Sequence, residues 1–267
     1  MPEVITSAAN PLVKRWRRLG ERRERARAGE FTVEGGQPVW RAVDAGWTLR
    51  QLVVCRDLLT HPEAIAMVDD LEAAGVPVAH LSRELFTRIS ERDRPSGIGA
   101  IVAARSTPLG EFAVDADATL VALDQVGNPG NLGTIIRTAD AAGAAAVVLI
   151  GHGADPFDPA AVKASMGSVF GLPVLRAADL GDFFGWAADL GITVAATTGA
   201  ASTTIWEANY RRPLALLFGA EGPGLPDEAI ERADLAVRIP MTGTAESLNL
   251  AVAVAVTLYD AQRGRLG

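Results

Sequence analysis

From Ala118 onward, short apolar runs alternate with helical stretches, and this constrains the fold more than any other feature. The runs lie at 119–123, 146–150, 172–175, 193–196, 214–218 and 236–239. Apolar residues recur at three and four spacing over 131–142, 159–166, 180–189, 227–233 and 247–262, which predicts helices there. Nearly continuous apolar strands, separated by helices, predict a parallel sheet covered on both faces. Open sheets of this kind hold ligands at the carboxyl ends of their strands. The loops that follow the strands are therefore where chemistry is to be sought.

Three such loops stand out. The first lies in LDQVGNPGNLGTIIRTADAAG (123–143), where an apolar run stops at Asp124 and a glycine-rich turn opens a helix. Gly127, Gly130 and Gly133 are spaced by three, which is not the G-x-G-x-x-G of a dinucleotide fold. Arg137 follows the loop by one to two helical turns, with Asn131 six residues before it. Taken alone, Arg137 reads first as a surface or ion-pair arginine. The second loop is FGAEGPGL (218–225), with Glu221 on a glycine–proline turn. The third is IPMTGTAESLNL (239–250), which places Ser247 and Asn249 at the start of an apolar helix. Each has an ordinary structural use, Glu221 as a turn carboxylate and Ser247 or Asn249 as helix-start residues. All three, however, follow strands of one predicted sheet. No G-x-S-x-G hydrolase turn is present, since the serines at 165 and 247 both fail that pattern.

The chain has 267 residues, enough for one large or two modest domains. Its apolar runs are far shorter than a membrane span, and the opening MPEVITSAANPLVKRWRR has no apolar core of a signal peptide. Cys55 is the only cysteine, which fits a reducing cytoplasm. His61, His80 and His152 are scattered, so no metal site is expected, and no membrane partner. The net charge of −7 argues against nucleic acid, but it is unevenly spread. Between Lys14 and Arg27 eight basic residues face Glu21 and Glu24, a net of +6 that leaves −13 elsewhere. Lys14, Arg15, Arg17, Arg18 and Arg22 are the candidate RNA-contacting residues of this window. A solvated helix face with pairs such as Glu21–Arg25 is the competing interpretation.

The first hundred residues predict a smaller α/β unit. Helices are expected at 11–28, 37–45, 62–74 and 82–90, with strands at 31–33, 49–55, 77–80 and 98–103. A stretch containing Ser106, Thr107, Pro108 and Gly110 reads as a linker. The expected domains are 1–104 and 118–267, joined by 105–117.

The three loops together resemble the SpoU (TrmH-like) branch of the SPOUT RNA methyltransferases. Asn131, Gly133 and Arg137 match the family's N-x-G-x-x-x-R. Gly219, Glu221 and Gly224 match its second motif, and Ser247 and Asn249 its S-L-N core. Residues 163–174, KASMGSVFGLPV, are similar to the family's middle segment. The first domain is similar, more loosely, to a substrate-binding domain related to ribosomal RNA-binding proteins, with FTVEG at 31–35 as its start.

The resemblance implies a fold and an activity. The fold is an α/β parallel sheet whose C-terminal part threads a deep trefoil knot, preceded by the small α/β RNA-binding domain. The activity is transfer of a methyl group from S-adenosylmethionine to a ribose 2′-hydroxyl, in the cytoplasm, with 23S ribosomal RNA as the expected target. A tRNA target, or an RNA-binding protein whose methyltransferase domain is inactive, are the alternatives. Carried over by position, the cofactor pocket comprises Phe218, Gly219, Ala220, Glu221, Gly222, Ile239, Met241, Leu248 and Asn249. Arg137 is the expected key catalytic residue, positioning ribose and phosphate within its own chain or across the dimer, with Asn131 orienting Arg137 or the ribose, Glu221 holding Arg137 or the loop, and Ser247 and Asn249 completing the site. Relatives work as homodimers. A stripe of Leu248, Val252, Ala255 and Tyr259 suits that interface, or equally a core helix.

Overall fold

The computed structural model describes residues 3–263. In chain order the elements are β1 (Val4–Ile5), α1 (Pro11–Arg18), α2 (Arg22–Ala28), β2 (Glu30–Glu34), α3 (Gly36–Asp44), β3 (Leu49–Val54), α4 (Pro62–Ala73), β4 (Val78–Leu81), α5 (Arg83–Ile89) and β5 (Ile98–Ala103). There follow β6 (Thr107–Pro108), β7 (Thr119–Asp124), α6 (Pro129–Ala141), β8 (Ala146–Ile150), α7 (Pro159–Ser165), α8 (Ser168–Gly171), β9 (Val174–Ala177) and α9 (Leu180–Asp189). The chain closes with β10 (Thr193–Thr197), β11 (Thr203–Thr204), β12 (Leu214–Phe218), α10 (Asp227–Arg232), β13 (Leu235–Arg238) and α11 (Leu250–Ala261). Two compact units result. Unit 1 is 1–105 with 157–171, and unit 2 is 106–156 with 172–267.

Unit 1 is built on a mixed sheet in the order β1-β4-β3-β5-β2. β3 runs parallel to β4 and antiparallel to β5. One group of buried residues joins Val13 and Trp16 of α1 to Leu85 and Phe86 of α5 and to Val53 and Ile101 of the sheet. An aromatic group supplies a second core. Phe31 stacks on Phe157 with centroids 4.5 Å apart, Trp47 meets Phe170 edge-on at 5.3 Å, and the Trp47 indole donates to the Phe170 carbonyl at 2.9 Å. Phe157 and Phe170 flank α7, so this helix and α8 pack with unit 1. The sequence pattern placed them with the later strands, because helix periodicity says which face is buried and not against which sheet.

The basic segment does not form one helix. It breaks at Leu19–Glu21 because Arg25 folds back and closes the end of α1. Its guanidinium donates to the carbonyls of Leu19 at 3.1 Å and Gly20 at 2.7 Å, and to Asp158 Oδ2 at 2.9 Å. Arg25 is only 3% exposed. A buried arginine with a carboxylate and two carbonyls is a structural cation, not a surface one.

Unit 2 carries an eight-stranded sheet in the order β11-β13-β10-β12-β7-β8-β9-β6, and every pairing within it is parallel. β7, β8 and β12 are buried along their whole length. This is the all-parallel α/β architecture expected. Two details differ. The strand expected at 172–175 lies at Val174–Ala177, because Pro173 has no N–H to donate and pairing opens with its carbonyl, which accepts from Val147 N at 3.0 Å. The expected linker also contributes β6, which pairs with β9. From β7 the sheet grows through β8 and β9 on one side and through β12, β10 and β13 on the other. The carboxyl ends of β7 and β12 therefore flank the point where the strand order reverses, where such sheets open a crevice.

Candidate functional site

The crevice is an open cleft of about 730 Å³ in unit 2. Its walls come from the ends of three strands and the start of one helix. β12 supplies the loop Phe218–Leu225, β13 supplies Ile239 and Met241, the start of α11 supplies Ser247 to Leu250, and β10 supplies Thr197 to Gly199.

Local chemistry fixes each wall. The β12 loop folds back so that Ala220 and Gly224 form an isolated bridge, with Gly224 N donating to Ala220 O at 3.0 Å. A Cβ on Gly219 would lie 2.1 Å from the Gly224 carbonyl carbon, so only glycine fits there. Gly222 and Gly224 take φ of +95° and +74°, a conformation that side chains resist. At the end of β7, Asn128 caps α6, its Oδ1 accepting from Gly130 N at 2.8 Å and Asn131 N at 3.1 Å. Asn249 caps α11 in the same way, accepting from Ala251 N at 2.9 Å and Val252 N at 3.4 Å. The helix expected from 247 thus starts at Leu250, and Ser247 stands outside it on the cleft wall.

These caps bring the three sequence motifs to one point. Asn131 Nδ2 donates to Glu221 Oε1, and Asn249 Nδ2 donates to Asn131 Oδ1 at 3.3 Å. Glu221 therefore holds Asn131 rather than Arg137. Arg137 lies on the exposed face of α6, is not among the residues lining the cleft, and has no hydrogen bond or ion pair among the described residues. The nine residues expected around the cofactor all line the cleft. Sequence reasoning missed Thr197, Thr198, Gly199 and Arg238, which also line it. The signal was available, since TTG after an apolar strand has the same small, polar, glycine-ended character as the other loops. Asp124, at the end of β7, is 3% exposed, and burial pushes its carboxyl above the usual carboxylate range.

The cleft suits an elongated, partly apolar cofactor. Phe218, Ile239, Met241 and Leu248 offer apolar surface, the β12 loop offers backbone without side chains, and the volume lies in the range of small-molecule sites. Among the described residues no group of three histidine, cysteine or acidic side chains gathers to hold a metal. No helix among them is long and apolar enough to cross a membrane.

The basic window is heterogeneous. Arg15 is held by Glu30 through hydrogen bonds of 2.6–3.1 Å. Lys14, Arg17, Arg18 and Arg23 are exposed with no ion pair among the described residues, and Arg22 is exposed.

A parallel sheet whose glycine loops converge at the reversal of strand order defines an α/β enzyme that holds a nucleotide-like cofactor. The chain belongs to the SpoU rRNA methylase family, whose model matches residues 118–259, while a model for an MRM3-like substrate binding domain matches residues 10–100. It is 35% identical to the 23S rRNA (uridine(2479)-2′-O)-methyltransferase of Streptomyces viridochromogenes, over 98% of this chain and 92% of that one. It is 33% identical to the 23S rRNA (guanosine(2553)-2′-O)-methyltransferase RlmP of Bacillus subtilis, over 96% and 97% of the two chains. In structure it resembles an AdoMet-bound rRNA methyltransferase from Sinorhizobium meliloti, with a TM-score of 0.91, 39% identity and 99% coverage of both chains.

Proposed function

We propose that this protein transfers the methyl group of S-adenosylmethionine to a ribose 2′-hydroxyl in 23S ribosomal RNA, in the cytoplasm. The observation that carries this is the hydrogen-bonded junction of Asn131, Glu221 and Asn249 beside a cleft lined by every residue expected to hold the cofactor. Relatives that align over nearly the whole chain and are named for 23S rRNA 2′-O-methylation favour this target.

The sulfonium of the bound cofactor supplies a strongly electrophilic methyl group. The protein's task is to align a ribose oxygen with it and to manage one proton. Asn131, fixed by Glu221 and Asn249, is the positioning residue at the rim. Ser247 and Asn249 complete the wall beside it. Arg137, exposed and without an ion pair among the described residues, carries a fork of donors suited to a phosphate and a ribose. Because it does not line its own chain's cleft, we assign it to RNA held in the cleft of a second copy.

The homodimer this requires is supported by an apolar face left uncovered among the described residues. Outside the cleft, Val252, Val256 and Tyr259 are 39–47% exposed and recur along α11, with Leu248 of the cleft rim in its lead-in. Val256 takes the outward place that the sequence stripe gave to Ala255, which is half-buried. We also infer the family's trefoil knot, supported by the return of α11 onto α6 and β12 after the chain has run out to β13. Unit 1, with Lys14, Arg17 and Arg18 free of ion pairs among the described residues, is the part we assign to RNA capture, together with Arg15 and Arg22 from the same segment.

Incubation with labelled S-adenosylmethionine and total RNA, resolved into ribosomal and transfer fractions, tests this. Label in 23S RNA is the expected result. Label confined to tRNA would keep the chemistry and overturn the target, and cofactor binding without label in any RNA would overturn the reaction.

A further inference from the structure

Unit 1 contains a cavity of about 410 Å³ that the proposed chemistry does not use. It is walled by the β2–α3 turn at Gly35 and Gly36, by Trp40 of α3, by Met67 of α4, and by Arg92 and Ser96. We propose that it takes one unstacked nucleotide of the RNA substrate, with the base lying on Trp40. This rests on the reading that the substrate is RNA.

Four observations carry it. Trp40 is 49% exposed, whereas Trp16 and Trp47 in the same unit are 8% exposed, so its indole is a flat apolar surface left in solvent beside a cavity. Single-stranded RNA is held by such rings, because every base has a π-face to stack on them. Arg41 adds a guanidinium 5.4 Å from the Trp40 ring centroid.

Arg92 lies across the β2–α3 turn, its Nη2 donating to Glu34 O at 2.9 Å, with no carboxylate in ion-pair distance among the described residues. Gly35, at φ +110°, makes room for it, because a Cβ there would stand 2.9 Å from Arg92 Nη2. No side chain caps α3, and the N–H groups of Gly36 and Gln37 have no protein partner among the described residues. A cation and open amides at one mouth are the chemistry of a phosphate. Finally, the Ser96 hydroxyl in the wall is buried and has no hydrogen-bond partner among the described residues. Buried polar groups are ordinarily paired, and this hydroxyl, buried as it stands, reaches the polar edge of a base by turning into the cavity. An apolar protein side chain would use the ring but not the cation, the amides or the hydroxyl.

The test uses the full chain and a short single-stranded RNA carrying one 5-iodouridine, irradiated and then mapped by mass spectrometry. The adduct is expected on Trp40 and absent in W40A. W40A is further expected to bind RNA about 5- to 150-fold more weakly, with cofactor affinity unchanged and W40F retaining most of the binding. Adducts elsewhere with Trp40 unmodified, or RNA affinity of W40A within about twofold of the parent, would overturn the proposal whatever the methylation assay shows. A chain that cross-links at Trp40 but methylates no RNA would keep this site and sink the proposed reaction instead.

Discussion

Asn249 donates its side-chain amide to Asn131 Oδ1 at 3.3 Å, although 118 residues separate them, while its own Oδ1 caps α11. One side chain thus serves stability and site geometry through different atoms, and a single substitution separates them. Asn249→Asp keeps the capping acceptor but loses the donor, so the melting temperature is expected to hold while kcat/KM falls roughly tenfold or more. Asn249→Ala is expected to lose about 1 kcal/mol of stability as well. Full kcat/KM in Asn249→Asp would make the residue a cap alone, and equal melting losses in both variants would show that the cap contributes nothing.

Arg137 has no partner among the described residues and faces solvent, so Arg137→Ala is expected to leave melting and cofactor affinity intact while abolishing transfer. Arg137→Lys is not expected to rescue, because an ammonium lacks the planar fork. If the arginine acts in its partner's cleft, mixing Arg137→Ala with inactive Gly219→Val restores activity through mixed dimers that hold one working site. No recovery on mixing would place Arg137 at its own chain's site.

The basic segment holds two kinds of arginine. Arg25→Ala leaves Asp158 Oδ2 and two carbonyls without the donor that Arg25 supplies, and an unfolding loss of about 3–5 kcal/mol is expected, with the salt dependence of RNA binding unchanged. Neutralising Arg17 and Arg18 is expected to do the reverse, lowering the slope of log affinity against log salt by about 0.7 to 0.9 for each phosphate no longer neutralised. A salt slope unmoved by both substitutions would return these arginines to the solvated face.

Asp124 gives a pH prediction. Burial raises its folded pKa above the unfolded one, so the folded state binds the proton more tightly and stability falls as pH rises through the folded value. Asp124→Asn is therefore expected to melt higher than the parent at neutral pH. The gap should close as pH falls below about 4, where the unfolded carboxylate also protonates. A gap independent of pH, or of opposite sign, would show that the carboxylate is compensated in the folded protein.

Much of this was legible in the sequence, and the reasons differ by element. Strands such as Leu214–Phe218 announce themselves because both faces are buried and every residue is apolar. Asn131, Glu221 and Asn249 were identifiable as a set by family resemblance, but their mutual hydrogen bonds depend on two helix caps that no spacing encodes. The break between α1 and α2 was hidden because its cause, Arg25 reaching Asp158, spans 133 residues. The docking of α7 was hidden likewise, since Phe157 and Phe170 show apolar character but not that Phe31 and Trp47 await them. Arg137 was visible as a residue, and its position outside the cleft of its own chain was not.

The most direct test is to digest RNA methylated by this protein and identify the modified nucleoside and its position. Transfer of one methyl group to a ribose 2′-oxygen at a single site in 23S ribosomal RNA, lost in Arg137→Ala, is the predicted result. A methyl group on a base, or cofactor binding with no methylated nucleoside in any RNA, would contradict it.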